Sequence, residues 1–310
     1  MSSPSSALSS QTANFVQLDL FLDSRTVVLA NDVIHALLAR DAARASVVLE
    51  RLRTEEPRHH LLDTLDGLRR ALEEWPFPSA TAAETGQTIQ RLENEMHPLA
   101  DSAFGENASN FMLPFWRDLA QAPGAHVYDA ALPQAYRAAL YLRCGDPEAA
   151  AAAAQAIERD EDNVDALHWL AVARYRIEGL QACRMPLMRL ALLAPQRIPG
   201  TLEEIDEPLL NRDWHAFQVA CHWLDPESEE LGSWFPAWYL VEHPGTAIEF
   251  GSPVTLAETV PVQAMKAIAR LVKLERGGYS PALVSARNRL RELDPNLFDF
   301  YMARRNVSHR

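Results

Sequence analysis

The sequence predicts an all-α protein built from helix–turn–helix units stacked along the chain. Two observations predict it. Alanine and leucine dominate an apolar content of 48%, while β-branched runs are few. Apolar residues also recur at i, i+3, i+4 and i+7 in segment after segment, the stripe that one face of an α-helix presents. At 310 residues the chain has the length of one large or two ordinary domains with an ample core.

Residues 1–15 are rich in Ser and poor in apolar side chains, so a flexible tail is expected there. Gln17-Leu18-Asp19-Leu20-Phe21 follows directly. All five positions resemble the motif by which bacterial polymerases and repair factors bind the DNA sliding clamp, whose consensus reads Q-L-S/D-L-F. The resemblance implies an extended peptide: Gln17 hydrogen-bonds at a pocket rim, while Leu18, Leu20 and Phe21 fill an apolar cleft. The same residues also fit the start of a helix. Val16, Leu20 and Val27 would carry its apolar face onto the core, and Leu18 and Phe21 are three apart. Asp23 or Ser24 as N-cap would separate the pentapeptide from the helix.

Residues 16–75 read as an N-terminal helical unit. Leu29, Val33, Ala36 and Leu37 form one stripe; Ala45, Val48, Leu49 and Leu52 form the next. The turn near Asp41 has no glycine. A third helix is predicted over Leu61–Glu73, and His59 and His60, about 100° apart on a helix, are expected in solvent. Trp75-Pro76-Phe77-Pro78 opens a Pro-, Ser-, Thr- and Ala-rich stretch, and 76–83 is the expected linker and domain boundary. Residues 84–130 are expected to hold two connecting helices, Glu84–His97 and Ser109–Gln121.

Residues 131–195 carry the clearest pattern, two consecutive helix pairs. Ala135, Ala138, Ala139 and Leu142 line the first helix. Gly145 stops it, because a residue without Cβ takes the left-handed turn cheaply. Asp146 is a good N-cap, Pro147 suits the first helical position, and Ala150, Ala153, Ala154 and Ile157 repeat the stripe. Leu167, Leu170, Ala171 and Ile177 line the third helix; Leu187, Leu190, Ala191 and Ala194 line the fourth. No such helix hides its stripe alone, so each requires a neighbour. Pro186 inside the fourth helix removes a hydrogen bond and predicts a kink.

These pairs resemble the tetratricopeptide repeat, a unit of about 34 residues. Leu170–Ala171 stand at the family's Leu–Gly pair, Tyr175 lies within a residue of its tyrosine, and Pro195 matches its closing proline. Tyr141, Gly145 and Ala150 match in the first pair, where Asp162 replaces the proline. The resemblance implies an α-solenoid with a concave surface that binds a protein or peptide. Arg143, Trp169, Val172 and Arg176 take the inward-facing positions. They lack the lysine–asparagine set that chaperone-binding members use on a terminal carboxylate.

Residues 196–260 are acidic and aromatic. Glu203, Glu204, Asp206 and Glu207 form one acidic run; Glu227, Glu229 and Glu230 form another. No positioned partner suggests general acid–base work for them. Trp214, Phe217, Trp223, Trp234, Phe235, Trp238 and Tyr239 are read as core, with a ligand groove as the alternative. His215 and His222 lie about 10 Å apart along a helix, too far to share a metal ion unaided. Residues 261–310 recover the repeat, turning at Gly277-Gly278 and closing at Leu293-Asp294-Pro295 before a short capping helix, Leu297–Arg304.

The formal net charge of −13 argues against a nucleic-acid-wrapping surface. Cys144, Cys183 and Cys221 are too few and too scattered for a disulfide frame, and read as reduced core thiols. Neither a signal peptide nor a membrane span is visible, so a cytoplasmic protein without cofactor or metal is expected. The expected function is non-enzymatic: a scaffold or adaptor binding a protein partner. The alternative is a replication or repair accessory recruited to the sliding clamp through Gln17–Phe21. A hydrolase using the acids between Glu203 and Glu230 is the third class.

Overall fold

The stripes become helices almost where the spacing places them. The computed structural model describes residues 25–157, 163–225, 228–251 and 257–308, and is all-helical, with no strand among them. The chain divides into two compact units, Met1–Cys144 and Gly145–Arg310.

In the first unit α1 (25–38) and α2 (Ala42–Glu55) bury Val33, Ala36 and Leu37 with Ala45, Leu49 and Leu52. The turn that lacks glycine is made by Arg40, whose φ is 56°. Asp41 then caps α2, its Oδ1 accepting from the Arg44 amide at 2.9 Å. α3 (Leu62–Glu74) packs on α2. The 76–83 stretch, expected as a linker, lies inside this unit. Phe77 is buried, the Trp75 ring meets Phe77 and Phe115 edge-on, and Trp75 Nε1 donates to Asp118 at 2.9 Å. Aromatic packing holds Trp75 and Phe77, despite the flanking prolines.

α4 (Ala82–Arg91) starts with a capping box between Thr81 and Glu84. It runs through a π-helical turn, Leu92–Met96, into α5 (His97–Phe104). The helix expected to end at His97 instead continues through Pro98, which lacks an N–H and crowds the carbonyl four residues back. The π turn shifts the register, with the His97 amide bonded to the Leu92 carbonyl, and the helix continues past the proline. α6 (Ala108–Gln121) and the short α7 (Arg137–Arg143) complete the unit.

One buried carboxylate ties α3 to α2. Asp66 accepts from Arg69 Nη2 at 2.7 Å and Arg70 Nη2 at 2.5 Å, with Arg53 at 3.7 Å. Burial works against the charged form, but the hydrogen bonds from Arg70 and Arg69 outweigh it and hold the carboxyl below its ordinary value. A depressed folded-state pKa gives stability that is complete above the unfolded pKa of about 4 and is lost as pH falls through the folded value. The acid side of the stability–pH curve is therefore expected to flatten in Asp66→Asn. Urea titrations between pH 6 and pH 3 check this, and an unchanged slope refutes the assignment.

In the second unit α8 (Pro147–Ile157) packs on α9 (Val164–Glu178), and α9 on α10 (Leu180–Leu193). Asp146 caps α8 and Asn163 caps α9, each through Oδ1 to an amide at 3.0 and 2.9 Å. Gly145 and Gly179 make the turns with φ of 71° and 81°. α10 runs on through Pro186, which is buried. The predicted pair 131–163 is divided: α7 belongs to the first unit and α8 to the second.

α11 (Ile198–Ile205) and α12 (Pro208–Ala220) lead to α13 (Phe235–Glu242), whose residues from Phe235 to Val241 are all buried. A helix apolar on every side belongs in the interior. α13 accordingly touches α10, α12, α14 (Val260–Glu275) and α16 (Pro295–Ser308). Phe217, Phe235 and Trp238 pack ring on ring there and are core together with Tyr239, while Trp214, Trp223 and Trp234 are half-buried. α15 (Pro281–Leu293) joins α14 to α16, with Gly278 at the turn.

Candidate functional site

Gln17, Leu18, Asp19, Leu20 and Phe21 lie outside the described residues. Of the inward-facing set, Trp169 and Val172 are not surface residues: they are 4% and 0% exposed. The reason is α11, which packs on the face of α9 expected to be open. Polar pairs run along the seam. Arg197 pairs with Asp165. His168 Nδ1 donates to Thr201 Oγ1 at 2.9 Å, since that hydroxyl itself donates to the Arg197 carbonyl, and Nε2 lies 3.1 Å from Glu204. Arg176 lies 3.5 Å from Glu204, and Tyr175 donates to Glu207 at 2.5 Å. Two members of the first acidic run therefore bind α9.

Arg143 lies in the first unit, apart from the other three, and lines a groove of about 460 Å³. Its walls follow from the local structure. The π turn presents Glu93, α5 begins with His97, and α6 contributes Ser109, Met112, Leu113 and Trp116 on one face. Met112 and Trp116 are buried beneath the opening. The Arg143 guanidinium lies 4.9 Å from the Trp116 ring centroid and 2.5 Å from Glu93 Oε1. A cation over an indole face is an attractive contact that also fixes the arginine's direction.

The groove is amphipathic. Its floor is apolar and its rim polar, and Glu93 is engaged by Arg143. His97 Nδ1 is 2.9 Å from Asp101, but Ser109 makes no hydrogen bond to His97, so no Ser–His–Asp relay is assembled. The signal for this site in the sequence is the helical spacing of Ser109, Met112, Leu113 and Trp116 on α6; the π turn that aims Glu93 left none.

In the second unit His243 Nε2 meets the buried Asp213 carboxylate at 2.8 Å, its ring packed 4.3 Å from Tyr239. The nearby thiols are poor nucleophiles, because burial pushes Cys183 up to about 11 and Cys221 up to about 12. Cys144, Cys183 and Cys221 are all free and buried. All three are expected to stay unmodified by Ellman's reagent at pH 8 in the native protein and to react together in guanidinium. Rapid native labelling would contradict their burial. His215 and His222 are exposed, and no group of three or more potential metal ligands occurs among the described residues. No helix there is long and apolar enough to cross a membrane.

Comparison with protein-family models, curated proteins and solved structures gives no match to this chain.

Proposed function

We propose that the chain is a non-enzymatic, cytosolic adaptor whose stacked helix–turn–helix units, arranged in the manner of a tetratricopeptide-like solenoid, hold another protein. The groove between α5, α6 and α7 carries the reading. Trp, Met and Arg are the residues enriched in protein interfaces, and an aromatic floor inside a polar rim suits an anchoring side chain. The Arg143–Glu93 pair is partly exposed, so exchanging it for contacts to a partner costs at most about 1 kcal/mol.

The test places a photoreactive amino acid at Ser109, on the groove, and separately at the exposed Val219 in the second unit. Irradiation of native-host cells is expected to give a discrete adduct from position 109 that Arg143→Glu abolishes. No adduct, or the same adducts from both positions, overturns the proposal.

A second reading rests on the five matching residues at Gln17–Phe21: recruitment to the bacterial sliding clamp. Purified clamp is expected to bind the wild type and not the Leu20→Ala/Phe21→Ala variant. No binding at micromolar concentrations removes this reading.

A further inference from the structure

A chain with 42 acidic and 29 basic side chains gathers cations in one place on its second unit. α14 and α15 enclose a groove of about 400 Å³. Lys266 and Arg270 enter from α14, one turn apart, and Arg289 enters from α15. Gln263 and Ser285 supply an amide and a hydroxyl, and Ala267, Ala286 and Leu293 supply a small apolar floor. Glu258 is the one carboxylate lining it, and it is bound to Lys266 Nζ at 2.5 Å. Arg289 Nη2 is held by the neutral Gln263 at 2.9 Å, with Glu292 at 3.5 Å from Nη1. Arg270 has no hydrogen bond or ion pair among the described residues.

We infer that the α14–α15 groove binds an acidic peptide in extended conformation, with carboxylates at alternate positions held by Lys266, Arg270 and Arg289. The spacing supports this occupant. Residues i and i+2 of an extended chain are about 6.8 Å apart, close to the roughly 6 Å rise between residues four apart on a helix. Alternate side chains of such a peptide point the same way, toward the cations, while its backbone faces the Gln263 amide and the Ser285 hydroxyl. The rest of the chain's negative charge weighs little at this distance, since screening at physiological ionic strength acts within about 8 Å. A long polyanion runs beyond the groove onto the acidic remainder of the surface and is repelled there, which places a short acidic peptide ahead of a nucleic acid. Glu258, exposed and paired with Lys266, occupies one cation in the unbound protein.

This inference is independent of the groove on the first unit, and its test uses other residues and another probe. Fluorescence anisotropy would follow a short fluorescein-labelled peptide in which Glu alternates with Ala, with a Lys–Ala peptide and single-stranded DNA as competitors. Binding is expected at low salt, weakened by added NaCl. Arg270→Glu should weaken it about tenfold, and Glu258→Gln should strengthen it about twofold to threefold by releasing Lys266. Both positions are exposed, so circular dichroism should show unchanged helix in each variant. Equal affinity in Arg270→Glu, weaker binding in Glu258→Gln, or preference for single-stranded DNA over the peptide would each overturn the inference. So would no binding of the peptide at all.

Discussion

Replacing Trp238 with alanine is expected to destabilise the second unit by about 3–5 kcal/mol, the cost of emptying a large aromatic site in a packed interior. Trp238 is 2% exposed and sits on α13, whose residues from Phe235 to Val241 are all buried. Its ring stacks on Phe235 and Phe300 at centroid distances of 6.0 and 6.4 Å and meets Phe217 edge-on at 5.9 Å. Truncation takes one neighbour from each of three rings, and a close-packed interior relaxes only partly to fill the space. Trp238→Phe should be far milder. It keeps a ring in the stack and removes an indole N–H that has no hydrogen-bond partner among the described residues. Urea unfolding monitored by far-UV circular dichroism reads both variants. A loss under about 1.5 kcal/mol for the alanine variant would mean the aromatic cluster is not tightly packed.

The second large effect comes from a glycine. Gly124 lies against the start of α4, its amide donating to the Ser79 carbonyl at 2.9 Å. A Cβ there would fall inside the contact distance of the Thr81 carbonyl and 2.5 Å from Thr85 Oγ1. Thr81 caps α4, and Thr85 is wholly buried, so neither can step aside without opening the capping box. Gly124→Ala is expected to destabilise the first unit by about 3 kcal/mol, at the upper end for overpacking. The same substitution at Gly200 has the opposite sign. That residue is exposed in α11 with open space around its Cβ, and alanine there should stabilise by up to about 1 kcal/mol through helix propensity. Thermal melts of the two variants should move in opposite directions; a shift of Gly124→Ala by less than a degree would contradict the close approach.

The hairpins were readable because each depends on near neighbours in sequence. The stripes Val33–Ala36–Leu37 and Leu187–Leu190–Ala191, the cap at Asp146, and the turns at Gly145 and Gly278 are local features, and the structure has them. What depends on distant matching was hidden. Nothing near Glu204 or Glu207 in sequence says that His168 and Tyr175, some thirty residues earlier, receive those carboxylates. An acid in a run looks the same whether it meets water or a helix. Trp169 and Val172 were assigned to an open face for the same reason: the covering helix announces itself only through its partner. The continuation into α5 was concealed because Pro98 disfavours a helix through it, and the π turn before it has no signature in the spacing. The groove at Arg143 was half legible. Its arginine stood out, whereas Glu93 and Trp116 join it through the bend of one helix and the face of another.

The pairs that α9 makes with α11 and the residues flanking it, Arg197 before and Glu207 after, are unlike one another along the seam: acid to guanidinium, imidazole to hydroxyl and carboxylate, phenol to carboxylate. Sliding α11 by one turn would set Asp165 against Thr201 and strand Arg197 beyond its mate. Only one offset satisfies every rung, so these two helices are keyed to each other. A greasy stripe tolerates many settings of its neighbour; this junction admits a single one, and α11 is no interchangeable module.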